Sequence, residues 1–160
     1  WHGGDLETYS DFIEQKMGRF EFGPGLYLSK RYDIAKKYAR GSRKLYLITI
    51  DGGKDIKQVD ISFEKAVGFV NTYCLRSVRS SIIQSMTKYN ENGFVPAEIF
   101  NNLILNHKAV KGKGTLELRK FLVSNGIDYE IMNAYGFGEM MVLYNMQKID
   151  EIKRITSRWI

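Results

Sequence analysis

Hydrophobic periodicity changes twice along the chain, and that change limits the folds open to it. Leu26-Tyr27-Leu28 and the stretch 44–50 have the apolar, β-branched and aromatic content of short strands, the second ended by Asp51-Gly52-Gly53. Residues 62–89 instead repeat at helical spacing, with Phe63, Ala66, Val67, Val70, Tyr73 and Cys74 on the inner side. After a break at 90–93 and Pro96, a second helix is expected through about Asn106. Strand character returns at 127–132, at 140–144 and near 152–155. Strands therefore flank a helical middle. This predicts one α+β domain over 1–160, with a mostly antiparallel sheet and a helical insertion at about 62–113.

Three further helices are expected. Residues 8–17 place Tyr9, Phe12, Ile13 and Met17 at helical spacing, and glycines at 18, 23 and 25 end the run. A helix over 31–40, with Ser29 placed to cap it, puts Tyr32, Ala35, Tyr38 and Ala39 on one side. The third covers 115–124 and stops at Asn125-Gly126. The opening Trp1-His2-Gly3-Gly4 reads as the end of a strand running into a turn.

A chain of 160 residues, 44% hydrophobic and 26% charged, has the composition of an ordinary globular domain. No apolar run approaches the roughly 18 residues that suggest a membrane span. No charged-apolar-small leader is present, so the expected setting is cytoplasmic, with no membrane partner. The single cysteine, Cys74, excludes an internal disulfide and a thiolate zinc site of the usual kind, and reads as a packed core residue. A net charge of +6 favours anionic partners: nucleic acid, the phosphates of a nucleotide or an acidic protein face.

Three segments carry chemistry. Phe22-Gly23-Pro24-Gly25-Leu26-Tyr27-Leu28-Ser29 puts two glycines immediately before a strand, where a backbone needs positive φ or close approach to a ligand. It lacks the third glycine and the preceding strand of a dinucleotide fingerprint, and Lys111-Gly112-Lys113-Gly114 lacks the features of a P-loop. Tyr27 and Tyr38, with small residues between them, are able to sandwich a heteroaromatic ring. Glu139 follows Gly136-Phe137-Gly138 and opens the apolar run Met140-Met141-Val142-Leu143-Tyr144, where a buried carboxylate would be costly unless used. Taken singly, each has a plain structural alternative: a loop, two core tyrosines, a strand-edge acid.

Taken together and in order, the Trp1-His2-Gly3-Gly4 opening, the glycine block with Ala35 and Tyr38 downstream, and Glu139 before its apolar run resemble the ADP-ribosyltransferase superfamily. The resemblance is to its His-Tyr-Glu branch, which holds the poly(ADP-ribose) polymerases and the diphtheria-type toxins. That family reads His-Gly in its first strand, Gly-x-Gly-Ile/Leu-Tyr-Phe in the next unit and a Glu opening a strand near the end. The block from Phe22 to Ala39 also resembles small bacterial and phage members. Residues 62–113 carry no part of the likeness.

The resemblance implies split antiparallel sheets around an NAD⁺ cleft, with NAD⁺ as co-substrate and no metal. Catalytic roles fall on His2, Tyr27 and Glu139. His2 would donate to the adenosine ribose, and Gly3 would grip the nicotinamide carboxamide through its backbone N–H and C=O. Tyr27 and Tyr38 would stack on the nicotinamide ring, and Glu139 would bond the 2′-hydroxyl of its ribose. Ala35 stands where many relatives carry a hydroxyl that bonds the carboxamide. Arg31, or a basic neighbour, would touch the pyrophosphate. Phe137, two before the glutamate, argues against the arginine-modifying toxins, which carry a second acid there. His107 reads as an inert surface residue.

The activity so implied is mono-ADP-ribosylation of a macromolecular acceptor, protein or nucleic acid, by a toxin or effector acting in the cytoplasm, its own or a host's. An antitoxin or inhibitor protein would be a further partner. The alternatives are NAD⁺ glycohydrolysis, with water as acceptor, and an inactive module of the same fold that binds nucleic acid or protein.

Overall fold

The computed structural model describes residues 1–4, 6 and 23–155. The expected helix over 8–17 and Phe22 of the glycine block lie outside them. Among the described residues are eight strands and five α-helices: β1 His2–Gly3, β2 Leu26–Ser29, α1 Tyr32–Ala39, β3 Leu45–Ile50, β4 Asp60–Ser62, α2 Phe63–Tyr73, α3 Arg76–Thr87, β5 Phe94–Pro96, α4 Ala97–Asn106, α5 Lys113–Ser124, β6 Tyr129–Ala134, β7 Gly138–Leu143 and β8 Ile149–Ile155. The fold is α+β, and every strand pair in its sheets is antiparallel.

The order β1-β3-β8 makes one three-stranded sheet and β2-β7-β6 a second, while β4 and β5 pair by themselves. Period-two alternation gives the second sheet two buried faces. Leu26, Leu28, Met141 and Leu143 point to one side, where they pack with Tyr46 and Ile48 of β3. Tyr27, Met132 and Val142 point to the other, onto the cluster formed by the helical middle. Phe69, Phe100 and Phe121 lie at the centre of that cluster, their ring centroids 4.8–5.6 Å apart, the spacing aromatic pairs favour. Each fully buried side chain there, such as Ile82, Ile104 or Leu118, contributes roughly 1.5–3 kcal/mol.

The structure departs from the sequence expectations in identifiable ways. The long helical run is split at Cys74 and Leu75, both extended, because Leu75 N donates to Ala109 O at 2.8 Å and Arg79 Nε to Cys74 O at 2.9 Å. The inner side of α2 runs through Phe69 rather than Tyr73, which is largely exposed. On α1 the buried residues are Ile34, Ala35 and Ala39, and Tyr32 and Tyr38 face outward. Ser29 does accept a backbone bond at that end, from Arg31 N at 3.0 Å, but Arg31 occupies the cap position itself.

Among the described residues, backbone hydrogen bonds join the two larger sheets at Trp1 and Ser29. Trp1 N donates to Ser29 O at 2.8 Å, and Ser29 N returns a bond to Trp1 O at 2.9 Å. Beyond that pair β1 follows β3, with His2 opposite Tyr46, while β2 follows β7, with Tyr27 opposite Val142. Helix α1 packs directly on β1: a Cβ added at Gly3 would lie 1.9 Å from Ala35 O and 2.8 Å from Ala39 N. Backbone cannot give way as a flexible side chain can. Gly3→Ala is therefore expected to cost about 1–3 kcal/mol or more, an overpacking penalty measurable as a lower denaturant midpoint. An unchanged midpoint would show that α1 does not rest on this residue.

Candidate active site

The residue after the meeting point places its imidazole between the parting strands. His2 is buried, and its Nδ1 lies 2.9 Å from Tyr27 O. A carbonyl only accepts, so Nδ1 carries the proton. Burial pushes the imidazole pKa below its ordinary value, a stronger effect than the raising influence of the Tyr27 carbonyl. The neutral ring then presents Nε2 as a lone pair. Toward a ribose hydroxyl such a ring accepts; the donation implied by the resemblance requires an imidazolium. Gly4, at φ +139°, lies beside that nitrogen, and a Cβ there would stand 3.2 Å from Nε2.

Gly3 comes next. In an antiparallel ladder successive residues bond alternately toward one neighbour and then the other. Gly4 N donates to Lys44 O at 3.0 Å, which makes Gly4 and His2 the residues that bond to β3. The N–H and C=O of Gly3 therefore turn the opposite way, to the side where β2 has parted from β1. Were that ladder to continue past Trp1 and Ser29, Gly3 would meet Tyr27. Instead the Tyr27 carbonyl is taken by His2 Nδ1.

Tyr27 is half-buried on the helical face of its sheet, and its phenol donates to Gly23 O at 2.8 Å. The His2 ring lies toward Tyr46, on the other side of β2. Tyr38 is 57% exposed, with its ring centroid 6.3 Å from that of Phe137. Each of the two tyrosines expected to sandwich a ring is thus engaged by a different partner. Ala35 is packed with Ala39, Leu45 and Trp1, a spacer between helix and strand. A hydroxyl there would be buried in that contact.

Glu139 sits near the start of β7, opposite Asn133 of β6, and its Oε1 is ion-paired with Lys30 Nζ, just beyond the end of β2. From the position facing Tyr27, Glu139 is three residues along the strand, roughly 10 Å. Arg31 passes the same turn, its Cδ 3.5 Å from where a Gly138 Cβ would be. Its guanidinium makes a bidentate pair with Asp33, at 3.0 and 2.6 Å, which raises the arginine pKa and lowers that of the aspartate. The pyrophosphate contact expected of Arg31 would have to compete with Asp33.

The structure thus brings His2 to the Tyr27 carbonyl, but the His2 ring and the Tyr27 phenol lie on opposite sides of β2, and Glu139 stands three residues along β7 from the residue facing Tyr27. Two features escaped the sequence reading. Lys30 had no role of its own there, and only the β2–β7 register shows which acid it meets. The second is a buried polar set, Glu130, Tyr144 and Asn101, whose acid falls in the alternation of β6 on the same face as Met132. An inward-facing acid between apolar neighbours was the available signal.

No family model matches this chain. No curated protein or solved structure matches it either. Among the described residues, no helix is long and apolar enough to cross a membrane.

The His2 environment gives a signed test. A lowered folded-state pKa means that stability present above the unfolded value near 6.5 is lost as pH falls through the folded one. Between pH 7.5 and 5, wild type is expected to lose more stability in denaturant titrations than His2→Gln. Equal losses would mean that this imidazole is not held neutral by burial.

Proposed function

We propose that the chain is an NAD⁺-dependent mono-ADP-ribosyltransferase, which cleaves the nicotinamide–ribose bond and passes ADP-ribose to a macromolecular acceptor, protein or nucleic acid. The observation that carries this reading is the orientation of Gly3, whose N–H and C=O face the gap between parted strands. A carboxamide offers one C=O and one NH₂ on the same edge, and that pair is the complement of one N–H and one C=O. The parted antiparallel sheets are read accordingly as an ADP-ribosyltransferase-like cleft.

The chemistry follows from the neighbours. Nicotinamide leaves with the electron pair of its C–N bond and is neutral on leaving, so it needs no general acid. The ribose it leaves behind develops oxocarbenium character, which a fixed carboxylate stabilises while accepting the 2′-hydroxyl proton in a hydrogen bond that tightens with charge. Glu139 supplies that carboxylate. Lys30 holds Oε1, leaving Oε2 for the hydroxyl. Both partners of the pair are substantially exposed, so the clasp is weak and able to yield to substrate. His2 Nε2 accepts from the adenosine ribose. The acceptor nucleophile then adds at the anomeric carbon and gives up its proton to solvent water. A role as toxin or effector in the cytoplasm, restrained by an antitoxin or inhibitor protein, belongs to the same proposal.

The test is incubation with labelled NAD⁺ and separate pools of protein, RNA and DNA, following both label and free nicotinamide. Wild type is expected to release nicotinamide and label one pool. Glu139→Gln is expected to lose turnover by roughly 10²-fold or more, as when a preorganised charge is removed. Nicotinamide release with no labelled pool would replace transfer by glycohydrolysis. Binding of NAD⁺ without release would leave only a binding module, and no binding at all would overturn the proposal.

A further inference from the structure

The helical middle has no place in the chemistry above, yet it sends one polar side chain toward the site. Asn101 of α4 is fully buried, and its Nδ2 lies 3.3 Å from both Glu130 Oε2 and Tyr144 Oη. Tyr144 Oη donates to the same Glu130 oxygen at 2.8 Å. All three side chains sit at or below 6% exposure, in the cluster between the second sheet and the helices. Burying a carboxylate, a phenol and an amide among Phe, Ile and Leu is costly, and apolar residues would fill the space more cheaply.

What the set touches next explains its position. Gly23 is buried, with φ +117°, and a Cβ there would stand 2.8 Å from Tyr144 Oη. The glycine turn therefore lies directly on the Tyr144 hydroxyl. Gly25 is pressed onto the same strand end: its Cβ would meet Leu143 O at 2.6 Å. Gly23 O in turn receives the Tyr27 phenol and the Gly25 amide. A path of close contacts thus runs from Asn101 and Glu130 through Tyr144 to Gly23 and on to the ring of Tyr27.

We infer that Asn101, Glu130 and Tyr144 form a positioning set that fixes the Gly23–Gly25 turn and, through it, the Tyr27 ring against nicotinamide. The inference rests on the functional reading above for its ligand. It gives the helical middle a task, as the floor that locks the turn in place. None of the three touches substrate. Tyr144 offers its hydroxyl as the surface on which the turn rests, Glu130 fixes the direction of that hydroxyl, and Asn101 holds both from the helical side.

Two measurements separate the inference from the reading it rests on. The first is ¹⁹F NMR of the full chain carrying fluorotyrosine, with the Tyr27 signal assigned by its loss in Tyr27→Phe. Glu130→Gln and Asn101→Ser, neither of which contacts Tyr27, are expected to shift or broaden that signal; an unmoved signal in folded variants overturns the inference whatever the enzyme does. The second is the kinetics of nicotinamide release. Tyr144→Phe is expected to raise the KM for NAD⁺ at least fivefold with kcat within about threefold of wild type, and the Tyr27→Phe/Tyr144→Phe double variant to be no worse than the poorer single, because the two act along one path. A KM unchanged in both Tyr144→Phe and Glu130→Gln, or additive effects in the double variant, overturns it. Should Tyr144→Phe fail to fold, Asn101→Ser takes its place in both measurements. A wild type that neither binds nor cleaves NAD⁺ removes the ligand and the functional reading, while the NMR result still decides whether the set fixes Tyr27.

Discussion

The hydrogen bond from His2 Nδ1 to the Tyr27 carbonyl marks the place where β1 and β2 part. One residue earlier, Trp1 and Ser29 exchange a pair of backbone bonds, as adjacent strands do. Had Gly3 and Tyr27 done the same, β1 and β2 would have zipped into one continuous sheet with no gap. The imidazole takes that carbonyl instead. Burial keeps it neutral, so it brings no uncompensated charge into the interior. Gly3 is held from behind by α1, with no room for a Cβ, so β1 does not relax back toward β2 by moving away from the helix.

Charge is arranged differently at the other end of the gap. Lys30 with Glu139 and Arg31 with Asp33 are exposed pairs, and exposed pairs add little to stability. Their value lies in position. Lys30 and Arg31 follow β2 directly, and the β2–β7 register carries both against the Gly138–Glu139 turn. The carboxylate is thereby oriented by an exposed partner that water can displace. A buried pair at the same place would hold Glu139 more firmly and cost more to open.

Much of the architecture was legible because it depends on local pattern. The strands at 26–28, 44–50, 127–132 and 140–144 and the helices at 31–40, 97–106 and 115–124 appear within a few residues of where alternation and helical spacing put them. What was missed depends on partners distant in sequence. β4 and β5 have three residues each, too few for a period, and exist because Asp60 to Ser62 find Phe94 to Pro96 across two helices. The break between α2 and α3 is stabilised by Ala109, thirty-four residues beyond Leu75. Tyr38 was placed on the Ala35 side of its helix because it shares a spacing with Ala35, yet the buried stripe of α1 runs through Ile34, Ala35 and Ala39, and Tyr38 meets Phe137 at the surface. Glu130 left only a faint signal, an acid between Tyr129 and Ile131, because an acid in a strand reads as solvent-facing until the helix that covers it is placed. The candidate site residues were visible as residue types in order. Their hydrogen-bond roles were not, since the His2 tautomer follows from a carbonyl twenty-five residues away.

The adjacency of histidine and glycine in the first strand now has a physical reason that does not depend on likeness to any family. In a strand, consecutive residues send their side chains to opposite faces and their backbone groups to opposite neighbours. His2 spends its backbone on β3 and its side chain on Tyr27, ending the ladder to β2. Gly3, one step on, must then direct its backbone into the opening that His2 has made, and its missing side chain lets α1 close the far face. Exchange the two residues, and the backbone groups aimed at the gap would belong to a histidine whose side chain collides with Ala35. The order His-Gly thus sends the His2 side chain to the Tyr27 carbonyl and turns the donor and acceptor of Gly3 toward the side where β2 has parted from β1.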